Sequence, residues 1–326
     1  MEDKLLVSSS PHIYGKKSIK NIMWQVNLVL APAGIFGVYI FGLSSLWLIC
    51  VSVLTAVLTE GFIQKGRGQK VTVSDGSAFM TGLLLAYNLP PACPLWLGIV
   101  GSFFAIAIGK QAFGGLGRNI FNPALAGRAF LMAAWPKHMT VFTRPFFCDA
   151  VTQATPLTLM KEGHARHLSD MALSYWDLLV GSRGGCLGEV CVLALALGGI
   201  YLLYKRIITW HIPVTYILTV GVFTWIFGDK SGYFKGDYLF HILSGGLFLG
   251  AIYMATDYVT SPITKKGQVV FGVGCGLITC VIRLWGGYPE GVCYSILVMN
   301  AFVPLIDRFV TKRRYGAAKS RVKQYR

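Results

Sequence analysis

The sequence predicts an all-α integral membrane protein with about ten transmembrane helices. Hydrophobic residues make up 54% of the 326-residue chain, charged residues only 13%, and the mean hydropathy is +0.56. A soluble chain of this length needs a larger share of polar side chains to cover its surface. The apolar residues are also grouped into blocks long enough for a helix to cross the roughly 30 Å hydrocarbon core of a bilayer.

Ten apolar blocks are predicted to enter or cross the membrane. In chain order they are Ile22–Leu43, Leu46–Ile63, Ser77–Leu89, Leu95–Ile108, Phe121–Trp135, Leu187–Tyr204, Ile212–Phe227, Leu239–Ala255, Val269–Leu284 and Val292–Val310. The third to fifth blocks are short and adjoin prolines, which favours interrupted or half-length helices. The sequence therefore divides into two five-helix halves, residues 22–136 and 187–310, separated by a long loop over residues 137–186.

The distribution of Lys and Arg predicts the orientation of the chain, because positive side chains remain on the cytoplasmic side. With a cytoplasmic N-terminal segment (residues 1–21), most of the 30 basic residues fall on that side. The opposite side receives Lys137, Arg144, Lys161, Arg166, Arg183, Lys230, Lys235 and Arg283. Both termini are thus predicted inside and the 137–186 loop outside.

This topology also explains the net charge of +16 without a nucleic-acid partner. The basic tail, residues 311–326, is expected to lie against anionic lipid headgroups or an acidic partner subunit. The eight cysteines form no CxxC motif and no Cys/His cluster, so no metal site is predicted. Cys148 and Cys186 flank the external loop and could form a disulfide or remain two unrelated thiols.

A short sequence echo suggests an internal repeat. Lys110–Gly115, followed by Asn122, is matched weakly by Arg283–Gly287, followed by Asn300. Each element precedes the last block of a five-helix half, and an odd number of crossings would give the two halves opposite orientations. Inverted repeats place functional sites at their interface. An aromatic-Gly-Gly sequence is also common in ordinary loops, and the two explanations have about equal weight.

The long external loop is a candidate for function, since long loops in compact proteins are commonly functional. It contains the polar stretch Asp149–Thr158, which by composition alone is a turn entering a helix, with Thr or Asp as the N-cap. This stretch is more informative when it is considered together with four other segments of the sequence. These are Val7–His12, Ser74–Pro91, Gly114–Ala124 and Asp257–Pro262.

Together with Ala154–Leu157, these segments resemble one family over nearly the whole chain. The chain resembles the D subunit of Rnf/Rsx electron-transport complexes and, more distantly, the B subunit of sodium-pumping NADH:quinone oxidoreductase. The resemblance implies that Thr155 carries FMN through a phosphoester on an exposed hydroxyl, with Thr152 and Asp149 as neighbouring site residues. Thr158 is the alternative acceptor.

The resemblance also implies the role of the chain in its complex. The chain would be a translocase subunit in a bacterial or archaeal cytoplasmic membrane that relays electrons through FMN and links ferredoxin with NAD. Electron flow would drive Na⁺ or H⁺ transport. The expected partners are the other covalent-FMN subunit (G), the small membrane subunits (A and E) and membrane lipid. No catalytic residue is predicted in this chain alone.

Two further sets of residues are candidates for ligands. Arg118, Asn119 and Asn122 could hold a second, non-covalent flavin such as riboflavin, or could simply cap a half-length helix. Ionisable residues within membrane spans are functional candidates because their burial is costly. Asp75, Asp257 and Glu60 are therefore candidates for the ion pathway. Alternatively, Glu60, Asp75, Lys110 and Asp307 extend to the cytoplasmic interface.

Two other functions are compatible with the same helices. A secondary transporter would show the same spans and interrupted helices, and a cofactor-free scaffold subunit would also need no chemistry at Thr155. Ultraviolet fluorescence of the denatured protein separates both from a covalent flavoprotein.

Overall fold

Helices dominate the computed structural model of the chain, which describes residues 18–143, 145–146, 152–162, 171, 173–181, 183–229 and 232–310. The helices are α1 (Ile19–Phe41), α2 (Leu43–Gly66), α3 (Ser77–Tyr87), α4 (Leu95–Ile106), α5 (Pro123–Ala134), α6 (Pro136–Met139), α7 (Pro156–Lys161), α8 (Tyr175–Val180), α9 (Val192–Tyr204), α10 (His211–Phe227), α11 (Tyr238–Leu243), α12 (Leu247–Leu249), α13 (Lys265–Leu284) and α14 (Val292–Phe309). The predicted class, a helical membrane protein, is confirmed.

Four of these helices, α1, α2, α13 and α14, are long and apolar enough to cross a membrane by themselves. Shorter apolar helices occupy most of the other predicted blocks. Local sequence sets several ends. Ser18 caps α1 by accepting the amide of Asn21, and Gly42, with φ of 84°, separates α1 from α2 by a single residue. Glycine tolerates this left-handed backbone because it lacks a Cβ atom.

Short helices occur in the third to fifth blocks, where the adjoining prolines predict them, and an interruption also occurs at one further place. α3 is only 11 residues long and begins after a 3₁₀ turn (Val73–Asp75), and α4 ends in a π-helical turn (Ala107–Gln111). The prediction of one continuous helix over Leu239–Ala255 is wrong. It breaks after α11 at Ser244–Gly246 and resumes as α12 and a second π-helical turn, Gly250–Met254. The physical cause is Gly245, whose φ of 69° is left-handed.

The two halves use the same order of helix contacts. α2 packs against α3 and α4, and α4 packs against α5. In the second half α10 packs against α11 and α13, and α13 packs against α14. α1 contacts α9, and α5 contacts α14, so one large apolar core joins the halves. This order is what a repeat requires, while the opposite orientation of the halves stays a prediction.

The α7 and α8 part of the external loop packs against the second half, whereas Phe146 contacts α1 of the first half. A two-residue antiparallel pair, β1 (Phe142–Thr143) with β2 (Thr152–Gln153), is a small departure from the predicted all-α structure. Leu157 of α7, Leu178 of α8 and Phe240 of α11 form a separate apolar cluster. The predicted block Leu187–Tyr204 also starts later, at Val192, because residues 187–191 form turns that are hydrogen-bonded to the end of α3.

Candidate functional site

Thr155 lies at the start of α7, beside a large cavity. Its Oγ1 accepts the amide of Thr158 at 3.3 Å and lies 2.8 Å from the hydroxyl of Thr158. The N-cap position predicted from the sequence is therefore present. Contrary to the prediction from the sequence, the hydroxyl is not exposed to bulk solvent, because Thr155 is only 4% exposed and borders the cavity.

The cavity has a volume of about 440 Å³, within the range of small-molecule and cofactor sites. Its walls come from α5, the segment before α7, the connection between α13 and α14, and the start of α14. The apolar and aromatic lining includes Met132, Met139, Phe142, Tyr288 and Tyr294. The polar lining includes Arg128, Thr140, Thr155, Thr158 and Glu290. Such a site combines flat apolar surfaces with a few charged and hydroxyl groups.

Arg128 and Glu290 form a buried ion pair at the wall of this cavity. Arg128 Nη1 also donates to Asn88 Oδ1 at 2.6 Å, and its Nη2 lies 3.7 Å from Cys186 Sγ. The pair joins α5 of the first half to the segment just before α14 in the second half. The positive charge of Arg128 is thus fixed in place where a ligand in the cavity would meet it.

A second glutamate lies directly behind this pair. Cys186 Sγ and one carboxylate oxygen each of Glu189 and Glu290 all lie within 4.8 Å of one another. The guanidinium of Arg128 already neutralises Glu290 there and opposes a cation, so we assign no metal ion to this group. Cys186 was predicted as a possible disulfide partner of Cys148, which lies outside the described residues.

Two arginines that the charge distribution assigns to the outer side, Arg183 in the external loop and Arg283 near the end of α13, are buried beside this group. Arg283 donates from Nη1 to His241 O at 2.5 Å and from Nη2 to Ser244 O at 3.1 Å. Arg183 Nη2 donates to Glu189 O at 3.5 Å. The break after α11 leaves carbonyl groups without helical partners, and the guanidinium of Arg283 satisfies them. Both guanidinium groups are buried, and their assignment to the outer side stays a prediction.

Lys161 holds α7 against the rest of the protein. Its Nζ donates to Ile282 O at 3.1 Å and to Tyr288 O at 2.6 Å, so it caps the last turn of α13 and fixes the segment that lines the cavity. Partial burial lowers the pKa of the Lys161 ammonium. Sequence reasoning did not single out Lys161, Glu189 or Glu290. Arg128 was visible as a charged residue inside a predicted span.

The other predicted members of the flavin segment are not placed by the structure. Asp149 lies outside the described residues. For Thr152 only the backbone, in β2, is described. Both stay predictions.

The proposed riboflavin residues surround a much smaller space. Asn119 and Asn122 line a cavity of about 30 Å³, the scale of a single water molecule, and Arg118 is exposed. Asn122 Oδ1 caps α5 by accepting the amides of Ala124 and Leu125, and its Nδ2 donates to Met254 O. In this arrangement the residues fit the capping explanation, and riboflavin does not fit the space.

Two of the three ion-pathway candidates, Glu60 and Asp75, are joined through Lys110 and Ser77 in one hydrogen-bonded polar chain. Lys110 Nζ lies 2.8 Å from Glu60 Oε2 and 2.6 Å from Ser77 Oγ, which donates to Asp75 Oδ1 at 2.7 Å. Glu60 and Lys110 are buried and paired, so the expectation that they extend to the interface is wrong. Asp257 lines the same small cavity as Lys110. Thr155 and this series of hydrogen-bonded polar side chains therefore belong to two separate sites.

The fold and these two sites define a helical membrane protein with buried charged groups around an internal cavity. The chain belongs to the NQR2, RnfD, RnfE family, whose model matches residues 6–316. It is 51% identical over 320 residues to the D subunit of the Na(+)-translocating ferredoxin:NAD(+) oxidoreductase complex of Acetobacterium woodii, covering 98% of this chain and 97% of the relative.

Two other relatives give the same assignment. The chain is 50% identical over 319 residues to the D subunit of the proton-translocating ferredoxin:NAD(+) oxidoreductase complex of Clostridium ljungdahlii, covering 96% of each chain. It is 39% identical over 329 residues to the D subunit of the ion-translocating oxidoreductase complex of Stutzerimonas stutzeri, covering 92% of this chain and 93% of the relative.

Proposed function

We propose that this chain is a membrane subunit of an ion-translocating ferredoxin:NAD oxidoreductase complex and that it relays electrons through FMN attached to Thr155. The names of its relatives support membership of such a complex. The chain supplies the site and the membrane framework, while the soluble electron donor and acceptor bind partner subunits.

The observation that carries the flavin proposal is the position of the Thr155 hydroxyl on the wall of the 440 Å³ cavity. An isoalloxazine ring tethered there could pack against apolar and aromatic side chains, with Arg128 and Glu290 as the charged groups of the wall. FMN supplies one- and two-electron chemistry. The residues of this chain would hold the group, exclude water from it and set the local charge.

Mass spectrometry and in-gel fluorescence test this proposal directly. The chain is coexpressed with a flavin-attaching transferase, and the denatured band is inspected under ultraviolet light. We expect a fluorescent band and a Thr155 peptide heavier by one phosphoester-linked FMN. Thr155→Ser should keep the label, because serine retains the hydroxyl, and Thr155→Val should lose it.

Two other threonines of the same cavity provide matched controls. Thr158→Val removes the hydroxyl that contacts Thr155, and Thr140→Val removes one elsewhere in the wall. Both variants should remain fluorescent. A label that survives Thr155→Val but disappears in Thr158→Val would move the acceptor to Thr158. A folded, colourless wild-type chain would leave a secondary transporter or a cofactor-free scaffold as the function.

The same proposal assigns ion translocation to polar groups within the membrane. Moving one charge against 100 mV costs about 2.3 kcal/mol. A two-electron potential drop of about 30 mV releases about 1.4 kcal/mol, so a drop of roughly 50 mV suffices for each charge. Glu60, Asp75 and Asp257 are the proposed pathway residues. Replacing each carboxylate by its amide should lower redox-driven ion uptake into vesicles while flavin fluorescence is retained.

The sequence leaves the transported ion open, and the relatives do not decide it. At about 50% identity, one is named as translocating protons and another as translocating Na⁺. Measuring uptake in vesicles with ²²Na⁺ and with a pH-sensitive dye distinguishes the two.

The proposed location is the cytoplasmic membrane, with both termini inside and the Thr155 segment on the outer face. In a background without native cysteines, a membrane-impermeant maleimide should label a cysteine placed at Lys137 in intact cells, but not one placed at Lys65. The reverse pattern would invert the topology. An affinity tag on the chain should also retain the proposed G, A and E partners in mild detergent.

A further inference from the structure

Glu189 is a buried carboxylate without an ion-pair partner among the described residues. The side chain is 3% exposed, and its Oε1 accepts the amide of Cys186 at 2.9 Å. Within the described ranges, no lysine or arginine nitrogen lies within 4.0 Å of this carboxylate. A buried, ionised carboxylate is costly unless it is paired, so burial strengthens the preference of this side chain for a proton.

A second carboxylate increases this preference. Oxygens of Glu189 and Glu290 lie within 4.8 Å of each other. Two carboxylates this close do not ionise independently, and one of them holds a proton more firmly. Glu290 is already paired with Arg128, so Glu189 and not Glu290 is the carboxylate that can gain a proton.

The charges around Glu189 come from every element that packs against it. Arg128 projects from α5, Arg183 and Cys186 belong to the segment before α9, Arg283 approaches from α13, and Glu290 lies just before α14. A Cβ atom at Gly246 would lie 2.9 Å from Glu189 Oε2, so the broken helix closes the remaining side. The three arginines stabilise the ionised form of Glu189, so Glu189 is ionised before an electron enters and can then accept a proton.

We propose that Glu189 is a redox-linked protonation site behind the Arg128–Glu290 wall of the flavin cavity. An electron arriving in the cavity adds a negative charge beside Arg128 and Glu290, which raises the proton affinity of the carboxylate behind them. Glu189 then takes up one proton, and it releases that proton when the electron leaves for the next carrier. One electron and one proton enter together, and the electron comes from the redox partner of the complex. This inference rests on the proposed attachment of FMN at Thr155.

The pH dependence of the flavin midpoint potential in the flavin-loaded, purified complex tests this inference. One pH unit is a tenfold change in proton activity, which corresponds to about 59 mV for a one-electron couple with one proton. Because the flavin ring takes up protons itself, the informative quantity is the difference between wild type and Glu189→Gln. The glutamine side chain has the same shape as glutamate, and its carbonyl oxygen can still accept a hydrogen bond from the backbone N–H of Cys186.

We expect the potential to fall more steeply with pH in the wild type than in Glu189→Gln, and Glu189→Asp to restore part of the slope. The wild-type redox difference infrared spectrum should show a protonated carboxyl band on reduction, and Glu189→Gln should lack it. The infrared measurement on the wild type needs no variant and remains decisive if Glu189→Gln does not fold.

Three outcomes would overturn the inference while leaving FMN attachment intact. The slopes could be equal in wild type and Glu189→Gln, or the wild type could show no carboxyl band. Alternatively, the wild-type potential could depend on Na⁺ concentration at fixed pH and lose that dependence in Glu189→Gln, which would make the site a cation site. A colourless wild-type chain would instead refute the proposed function.

Discussion

Glu60 and Lys110, fifty positions apart, form a buried ion pair in which Lys110 Nζ lies 2.8 Å from Glu60 Oε2. Glu60 is 1% exposed and Lys110 2%. The pair connects α2 to the π-helical turn at the end of α4. Gln64 and Gln111 also donate to Glu60 Oε1, at 3.2 and 3.0 Å, so donors from both elements hold the carboxylate.

Breaking this pair from either side should destabilise the protein. Removing one partner leaves a buried charge without compensation, a loss of about 3–5 kcal/mol for well-buried pairs. We expect Lys110→Met and Glu60→Gln to lower the thermal unfolding temperature in detergent. The double variant should be less destabilised than the sum of the two. Additive losses would show that the pair contributes no coupling.

Close packing against Tyr87 prevents Gly188 from carrying a side chain. The hydroxyl of Tyr87 donates to Leu30 O at 2.8 Å, and a Cβ atom at Gly188 would lie 2.3 Å from the Tyr87 Cβ. Gly188→Ala should therefore cost about 1–3 kcal/mol through overpacking. At Gly287 a Cβ atom would meet no other atom within 4 Å, so Gly287→Ala is the matched control. Equal unfolding temperatures for the two variants would contradict this packing.

Replacing Asn122 should lower the stability of the protein whether or not a flavin is bound. Asn122→Ala removes the cap of α5 and the bond to Met254 O, and capping alone is worth about 1 kcal/mol. Asn122→Ser keeps a hydroxyl acceptor for the cap but loses the donor to Met254 O, so it should be less destabilised than Asn122→Ala. Both are measured by thermal unfolding of protein prepared without riboflavin. If only riboflavin-supplemented samples respond to the substitutions, ligand binding rather than capping explains Asn122.

Much of the fold could be predicted from the sequence because hydrophobic length and proline position act locally. The apolar blocks correspond to helices, and Asn122-Pro123 begins α5 as a cap followed by proline at the first helical position. The break at Ser244–Gly246 was missed because the surrounding residues are continuously apolar. A hydropathy profile contains no information about a glycine with left-handed backbone conformation inside such a block.

The site could be predicted only in part, for a similar reason. A resemblance over a short motif selects Thr155, but the cavity beside it is made by residues that are distant in sequence. Arg128 and Glu290 are 162 positions apart, and neither carries a motif. Their contact depends on how α5 packs against α14, which periodicity and spacing do not specify.

Lys161 attaches α7, whose N-cap is Thr155, to the second half of the protein. Lys161 Nζ bonds two backbone carbonyls, Ile282 O and Tyr288 O, and a charged donor adds about 1.5–3 kcal/mol when fully buried. Because Lys161 is partly exposed, we expect Lys161→Met to lose about 1 kcal/mol.

This loss should be local, because both carbonyls belong to the surface that α7 packs against. Limited proteolysis of the detergent-solubilised protein should cut the 152–162 segment faster in Lys161→Met than in wild type. Lys137→Met, an exposed lysine of α6, is the control and should be cut at the wild-type rate. Equal cleavage of all three proteins would mean that the apolar cluster of Leu157, Leu178 and Phe240 holds α7 without help from Lys161.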